Sequence, residues 1–475
     1  MRQWRRKLPR NELRSTYYSM RNVLKDLEIS IPPHMKDVET VFGWAEKAVD
    51  LLATRIRLDG FVLADSEVGD DDYGIGEIFR DNRLRIESGQ ATRSSLIHSC
   101  SFLTASKGDT ANGEPEVLVT ARSARYATGI WSPRLRRLTS AIAIMDSDEY
   151  GISEINLYLP THVTIMRREK VSKWTIERRP HGLGRVPVEP LVYKPELDRP
   201  FGKSRITRAG MSIIDSAVRT ALRTEVSAEF FAAPQRYALG VDPSAFAGED
   251  GATRTGWESI IGRLLAIGRD EDGNVPTVGT FAQQSMEPHL AQLRQLATRF
   301  AGELGIPVGS LGIVHDANPT SSDSKEVDVA ELIADAEDAQ DVYGFAWAQT
   351  MRNAVMMLPE NDREGAVEPD LSDLEALWRP AKAPSRAAAA DSTLKLVQAF
   401  PWLAETQVAL EMAGVDRVTA QRLMAEKRRG DMKQLVANLP GAVSAATAAS
   451  NPAALPQIRP AAPAAEPTEP AEGDE

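Results

Sequence analysis

The first 200 residues of this 475-residue chain mix helix-like and strand-like segments, whereas the residues from Ser204 onward are mainly helix-like, and this division limits the folds open to the chain. Short apolar runs separated by Gly, Pro and Asp follow one another from residue 116, as in an antiparallel meander. These runs are Val117–Thr120, Ala141–Ile144, Ile155–Tyr158 and Val163–Ile165. From Ser204 onward the apolar spacing becomes helical. A mixed region with an antiparallel meander, followed by a mainly helical region, predicts an α+β fold.

The helical spacing defines several segments that end at Gly or Pro. Asp323 and Glu326 form a capping-box-like start for the longest of them. The predicted helices cover residues 37–58, 91–103, 204–232, 287–304 and 323–357, with weaker ones over 393–399 and 404–429. Residues 431–475 are rich in Ala and Pro and carry few large apolar residues, so we predict a disordered tail there.

Composition excludes some classes of protein. The single cysteine, Cys100, excludes an intrachain disulfide framework and a multi-cysteine zinc or iron–sulfur site. The formal net charge of −11 argues against a protein that coats nucleic acid by neutralising phosphates. We expect no membrane span, since no run of about 18 apolar residues occurs, and no secretory signal, since no apolar run follows the basic N-terminus.

Two short motifs resemble functional sequences but lack required residues. Gly202-Lys203-Ser204 resembles the end of a phosphate-binding loop, yet position 197, where that loop needs Gly, holds Leu197. We therefore predict a turn with Ser204 as a helix N-cap. The six histidines have neither the i, i+4 spacing nor the adjacent Glu of a metalloprotease helix, so no metal site and no cofactor is predicted.

Acidic residues are concentrated on the predicted helix 323–357. By spacing, Asp328, Glu331 and Asp335 share one face of it. Three interpretations remain open for this face: a carboxylate metal site, a solvated surface, or the lining of a passage for a polyanion, where acids repel phosphates.

The predicted helix 204–232 combines basic residues with a stripe of small residues that allows close helix packing. Its arginines are Arg205, Arg208, Arg219 and Arg223. We expect them to meet acids on a neighbouring element. The sequence allows a contact within the chain and a contact between subunits equally.

The order of these segments resembles the portal (head-to-tail connector) proteins of tailed bacteriophages, in the branch with long siphophage tails. The resemblance covers residues 13–429. It rests on Tyr17-Tyr18, the helix-to-strand join at 49–61, residues 184–188, residues 202–206 leading into a helix that ends at 233–240, Leu304-Gly305-Ile306-Pro307 with Leu311-Gly312, and the late segment from Phe400-Pro401-Trp402 to Arg429.

The resemblance implies a phage portal fold with an α/β wing, long stem helices, a small α/β clip and a helical crown. It places the wing at 1–203, the first stem helix at 204–232, the clip at 233–286, the second stem helix at 287–305, the tunnel loop at 306–322, a long wing helix with its connection at 323–369, and the crown at 370–430. The tail, 431–475, is an addition for which the family gives no role.

The function implied by the resemblance is a ring, commonly of twelve subunits, at the unique capsid vertex of the virion, assembled in the host cytoplasm. DNA is packaged through the ring by the terminase large subunit and later ejected through it. The other implied partners are the major capsid and scaffolding proteins, head-completion or adaptor proteins, and double-stranded DNA that passes without sequence-specific binding. We hypothesise that His315, Asp316, Asn318 and Lys325 lie at or beside the constriction, and that the stem arginines act between subunits.

Two alternatives from other classes remain open. The first is a DNA-processing enzyme subunit, such as a terminase-like motor or a nuclease, which needs a phosphate loop or converging metal carboxylates. The second is a non-portal minor capsid or scaffolding protein. A portal, in contrast, requires no catalytic residue, since the ATPase belongs to a different protein.

Overall fold

A computed structural model describes residues 1–22, 39–63, 73–170, 173–232, 236–239, 277–280, 285–312, 322–359, 361, 369–382, 386–416 and 419–433. The chain divides into two compact units, Met1–Lys382 and Ala383–Glu475. Helix and strand content confirms the predicted α+β class. Among the described residues, no helix has both the length and the apolar character needed to cross a bilayer.

The first unit begins with helices that surround one short strand. In chain order these elements are α1 (Arg2–Tyr18), α2 (Trp44–Ala53), β1 (Leu58–Leu63), α3 (Ile75–Asp81) and α4 (Leu84–His98). Helix α2 buries Trp44, Ala48 and Leu52, which lie four residues apart on one face. Helix α1 buries only Asn11 and Tyr17.

Two antiparallel sheets follow. The strands are β2 (Cys100–Lys107), β3 (Val117–Ser123), β4 (Ala127–Ser132), β5 (Arg137–Asp148), β6 (Gly151–Tyr158), β7 (His162–Lys170), β8 (Lys173–Pro180) and β9 (Val188–Val192). One sheet has the order β3-β2-β9, and the other is the meander β4-β5-β6-β7-β8. The four strand-like runs therefore lie on strands β3, β5, β6 and β7, as predicted.

The three-stranded sheet separates two hydrophobic clusters because side chains alternate along its strands. Cys100 and Phe102 of β2 pack in a cluster shared with Ala141 and Tyr158 of the meander. Leu103 and Ala105 point to the opposite face and join the main core with the surrounding helices. The sheet thus lies between the meander on one side and helices on the other.

Two long helices pack on each other and extend from this core. They are α5 (Arg208–Ala232) and α6 (Glu287–Leu304), and between them in the chain lie β10 (Arg236–Leu239) and β11 (Thr277–Thr280), which pair antiparallel. The beginning of α5 lies against the end of α6, since a Cβ on Gly210 would lie 3.5 Å from Phe300 and 3.7 Å from Leu304. The two helices are therefore antiparallel.

Helix α7 (Ser322–Val355) crosses the main core, and β12 (Leu374–Trp378) pairs antiparallel with β1. Leu332, Ala336, Tyr343 and Trp347 of α7 are buried along one stripe. The second unit contains α8 (Arg386–Ala399), a 3-10 turn at Pro401–Glu405, α9 (Gln407–Met412) and α10, the helical residues 419–433.

Some boundaries differ from the predictions. The predicted helix 91–103 ends at His98, where Ser99 takes φ +81°, and the following residues form β2. The first long helix begins at Arg208, and its N-cap is Thr207, whose hydroxyl accepts a hydrogen bond from the Gly210 amide at 2.9 Å. The prediction that Ser204 is the N-cap is wrong. The predicted helix 404–429 is divided into α9 and α10. The tail beyond residue 433 lies outside the described residues.

Candidate functional site

A buried arginine joins four parts of the first unit where α5 begins. The Arg205 guanidinium donates hydrogen bonds to the carbonyl of Ala48 at 2.8 Å, to the carbonyl of Leu304 at 2.7 Å and to the hydroxyl of Tyr193 at 3.1 Å. Its Nη1 also lies 3.0 Å from Oδ2 of Asp335. The Arg205 side chain is 3% exposed. One side chain therefore connects α2, the end of α6, the segment after β9, and α7.

Asp335 receives a second cation at the edge of this cluster. Lys194 Nζ lies 2.6 Å from Oδ1 of Asp335, and both side chains are more exposed than Arg205, at 43% and 19%. Partial burial lowers the Lys194 pKa, but the hydrogen bond and charge of Asp335 and the contact with Tyr193 together outweigh it, so the net shift is upward. Burial also raises the pKa of Tyr193, which remains a neutral hydrogen-bonding group. We call Arg205, Asp335, Lys194 and Tyr193 the stem-base cluster.

The end of α6 reaches the stem-base cluster through a left-handed turn. Gly305 caps the helix at φ +58°, and a Cβ there would lie 2.8 Å from the Glu331 carboxyl group. A side chain at position 305 would meet both backbone strain and a clash. The turn directs the Leu304 carbonyl at Arg205.

These contacts correct the prediction for Arg205. Its ion pair with Asp335 forms within one chain and is buried, so Arg205 is not available to another subunit. The intrachain alternative therefore applies to this residue. The pairing also accounts for Asp335, which acts in the fold of its own chain.

The remaining predicted arginines differ in exposure. Arg208 and Arg223 are exposed on α5, whereas Arg219 is half-buried and donates to the Ser216 hydroxyl at 3.2 Å. Each remains a candidate for a contact between subunits. Glu331 is exposed on α7.

Several predicted residues lie outside what the structure describes. These are His315, Asp316 and Asn318, and the side chains of Lys325 and Asp328. Their predicted roles therefore stay predictions. Among the described residues, no three His, Cys, Asp or Glu side chains are grouped in a way that would hold a metal ion.

The Gly202-Lys203-Ser204 segment forms a closed structural turn. The amides of Gly202 and Lys203 donate to the carbonyls of Arg199 and Tyr193 at 2.8 Å and 3.0 Å. Lys203 forms an ion pair with Glu196, and the buried Ser204 hydroxyl donates to the Ile97 carbonyl at 2.6 Å. A phosphate-binding loop needs free amides that point at its ligand. The groups of this turn are used within the chain, as the turn interpretation predicts.

Helix α1 is attached to the unit mainly by polar contacts, which sequence reasoning did not predict. Tyr17 donates to both carboxylate oxygens of Asp215 on α5 at 2.9 Å. Tyr18 donates to Asp50 on α2 at 3.1 Å, and burial together with that carboxylate raises the Tyr18 pKa to about 12. The one available signal was the Tyr17-Tyr18 pair. The Tyr17 contact joins α1 to the first half of α5, and the Tyr18 contact joins α1 to α2.

His98 lies beneath α1 at the end of α4. Its Nδ1 lies 3.0 Å from the Ser94 carbonyl and its Nε2 lies 2.9 Å from the Ser15 hydroxyl. Burial lowers the His98 pKa to about 4, and the positive charges of Arg125 and Arg14 contribute to the shift. The imidazole is therefore neutral at neutral pH.

A basic cleft of about 890 Å³ lies between α1, residues 198–204 and the beginning of α5. We define the basic cleft by the six cations on its lining, namely Lys7, Arg10, Arg14, Arg199, Lys203 and Arg208. Burial lowers the Lys7 pKa, with further lowering from Arg6 and Arg10, and burial with Arg10 lowers the Arg14 pKa to about 10. Six cations and one acid, Asp198, line the cleft, so its net charge is positive.

Comparison with known proteins connects this arrangement to one family. The profile described as "Phage portal protein, SPP1 Gp6-like" matches residues 2–433. The chain is 27% identical to the portal protein of Mycobacterium phage D29 over 391 residues, which cover 80% of this chain and 78% of that protein. It is 28% identical to the portal protein of Mycobacterium phage L5 over 390 residues, covering 80% and 77%.

Two solved structures are similar at low sequence identity. The neck of a native GTA particle, computed with C12 symmetry, gives 14% identity and a TM-score of 0.36 over 78% of this chain and 90% of that chain. The neck of an empty GTA particle, computed with C6 symmetry, gives 13% identity and a TM-score of 0.41 over the same shares.

Proposed function

The chain belongs to the SPP1 Gp6-like family of phage portal proteins, and from this membership we propose that it forms a closed ring at one capsid vertex, through which double-stranded DNA is packaged and later ejected. Portal proteins are structural components of the bacteriophage head-to-tail connection. The observation that carries the proposal is the family match over residues 2–433, because it includes every described element from α1 to α10.

The family parts correspond to successive structural elements. We propose that the helices and two sheets before α5, together with α7, form the wing, and that α5 and α6 form the stem. The segment 233–286, with the pair β10–β11 at its two ends, is the proposed clip. Residues 306–322 are the proposed tunnel loop. The resemblance starts the crown at 370, but β12 pairs with β1 of the proposed wing and lies in the first unit, so the proposed crown is limited to the helices of the second unit.

The stem has the geometry of an element that needs lateral neighbours. Only the second half of α6, from Leu296 to Leu304, is buried against the rest of the unit. Leu290 in the first half is 42% exposed. Two helices alone bury only one side of each, so ring neighbours would cover the remaining apolar surface. A head-to-tail contact of this kind closes into a ring when the rotation per subunit permits.

The acidic balance of the chain suits a channel for DNA. Phosphate contacts on the channel wall would bind the cargo and slow it, and a negative wall avoids them. We propose that the loop after α6 narrows the channel, with His315, Asp316, Asn318 and Lys325 in or beside the constriction. The proposed partners are the terminase large subunit, major capsid and scaffolding proteins, and head-completion proteins.

Particle imaging of the purified full-length protein tests the ring. We expect closed rings with a central hole, and the same rings at one vertex of virions. A chain that sediments as a monomer under every assembly condition tried, or that hydrolyses ATP or DNA with magnesium, would refute the proposal. Imaging in virions supplies the subunit number, since recombinant portals also assemble with altered numbers.

Deleting Val308–Ser322 tests the tunnel loop. We expect rings to form while packaging or retention of DNA in complementation of a portal-deficient phage falls at least tenfold. A second variant replaces residues 313–321 by a Gly-Ser linker of equal length, so that the ends of α6 and α7 keep their chain connection. Deletion of 441–475 is the control for shortening the chain. Normal packaging by both loop variants would refute the loop assignment.

A further inference from the structure

Helix α7 carries an acidic face with one exposed aromatic residue. We define the acidic face as Glu331, Glu337, Asp338, Asp341 and Phe345. At 100° per residue these positions lie within an arc of about 120°. All five are exposed, and Phe345 is 83% exposed. Within the described part of the chain, none of the four carboxylates has an ion-pair partner.

The basic cleft has the complementary composition. Lys203 and Arg199 lie beside Glu196, but Lys7, Arg10 and Arg208 have no carboxylate partner among the described residues. Phe201 and Met211 also line the cleft, and Lys7 Nζ lies 4.0 Å from the centre of the Phe201 ring. We call the six cations of the cleft its positive rim and Phe201 with Met211 its apolar floor.

The acidic face and the basic cleft lie on different sides of one subunit. The buried stripe of α7 packs in the main core, on the side of the β3-β2-β9 sheet that carries Leu103, and the acidic face is turned away from this stripe. Cys100 and Phe102, on the opposite side of that sheet, line the cleft together with Ile206 and Met211 at the edge of the main core. Two different complementary faces on one chain are what a head-to-tail contact requires.

We propose that the acidic face of α7 in one subunit docks into the basic cleft of the next subunit in the ring, with Phe345 on the apolar floor and the carboxylates on the positive rim. This proposal rests on the ring of the proposed function. An apolar anchor surrounded by charge pairs is the usual composition of a specific interface. Opposite charges also fix the register between subunits.

A second copy fits the cleft better than the other anionic candidates. Duplex DNA would use the positive rim but leave the apolar floor uncovered, since its outer surface is phosphate and sugar. The acidic segment after residue 433 contains no aromatic residue to fill the floor. The acidic face presents both carboxylates and an aromatic ring on one helix, and Asp341 and Phe345 lie about 6 Å apart along the helix axis.

Charge reversal tests the docking in the full-length protein. The variant Arg10→Glu/Arg208→Glu reverses two of the six cations of the cleft, and Asp338→Lys/Asp341→Lys reverses two of the four carboxylates of the acidic face. Each is expected to lower the ring fraction at least tenfold at physiological salt, measured by analytical ultracentrifugation and imaging. The chain carrying all four substitutions is expected to recover rings in part, because the substituted positions on the two faces again carry opposite charges while four original cations and two original carboxylates remain.

Folding and net charge are controlled separately. Glu at position 208 lies in the first turn of α5, where a negative charge is favourable, and Glu at position 10 removes a repulsion within α1. The cleft variant is therefore expected to melt at the same temperature as the wild type when both are measured as monomers, at a protein concentration too low for assembly. Arg134→Glu/Arg136→Glu on the β4–β5 turn makes the same net charge change at exposed positions and is expected to leave rings intact.

The outcomes separate the two proposals. A wild-type chain that forms no ring overturns both. Wild-type rings that persist in either reversal variant, or that fail to return in the chain with four substitutions, overturn the docking alone. If the cleft variant keeps its rings but no longer binds a duplex DNA fragment, the cleft is a DNA-binding site. If removing residues 434–475 abolishes the rings, the cleft binds the tail. Each of these results also overturns the docking.

Discussion

Replacing Arg205 by Met tests whether the buried guanidinium holds the base of the stem. The substitution keeps a long apolar side chain but removes the donors to the carbonyls of Ala48 and Leu304. A buried polar group left without its partner costs about 1–3 kcal/mol, and breaking a buried ion pair costs about 3–5 kcal/mol. Because Asp335 keeps Lys194, we expect the unfolding free energy of the first unit to fall by about 3–4 kcal/mol.

Urea unfolding followed by tryptophan fluorescence measures this change. Trp44 and Trp347 are buried in the main core, so their emission reports on the unit that contains Arg205. The expected result is a lower urea midpoint with an unchanged slope. Protein concentration must be the same for all variants, since subunit association adds a concentration-dependent stabilisation.

The control is Lys194→Met, which removes the other cation on Asp335. The Lys194–Asp335 distance of 2.6 Å is shorter than the Arg205–Asp335 distance of 3.0 Å, so distance alone ranks lysine as the stronger partner. Burial ranks them in the opposite order, because an exposed pair contributes at most about 1 kcal/mol. A loss for Lys194→Met that equals or exceeds the loss for Arg205→Met would refute the reasoning from burial.

Two further substitutions test local features. Gly202→Ala is expected to destabilise the first unit by about 3 kcal/mol, because φ is +65° and the new Cβ would lie 2.0 Å from the Tyr193 carbonyl oxygen. Gly89→Ala, in open space on α4, is the control and should stabilise the unit by about 0.5–1 kcal/mol. Urea midpoints of the two variants that shift in the same direction from the wild-type midpoint would contradict this. Since the His98 pKa is about 4 when folded and about 6.5 when unfolded, stability should fall by about 2–3 kcal/mol as the pH falls from 7 to 4.5. His98→Asn should remove this part of the pH dependence, and an unchanged difference between the urea midpoints at the two pH values would count against it.

The sequence predicts the regular elements well where one face of an element is buried. Strands β3 and β5–β7 alternate or lie between turn residues, and helices α5–α7 have long apolar stripes. Strand β2 was predicted as part of a helix because Cys100 to Ala105 are all buried. A strand buried on both faces shows no alternation, so periodicity cannot distinguish it from a buried helix.

Helix α1 illustrates a different limit. Its sequence contains Pro9 and a high proportion of Arg, and it buries only Asn11 and Tyr17. The sequence therefore has no apolar stripe from which this helix could be predicted. The helix is held by hydrogen bonds and ion pairs with residues far along the chain, among them Arg125 with Glu12 at 2.9 Å. Such contacts form only in the tertiary fold, so the local sequence pattern of α1 does not predict them.

The acids of α7 show where sequence information ends within a single helix. Leu332, Ala336, Tyr343 and Trp347 define the buried stripe, and their spacing of about four residues is visible in the sequence. When the helix positions are counted from this stripe, Asp335 lies at its border and the acidic face lies on the opposite side of the helix. The sequence therefore distinguishes the acid that points inward from the acids that point outward. It does not contain the identity of the inward partner, because Arg205 lies 130 residues away and reaches Asp335 only once α5, α6 and α7 have packed.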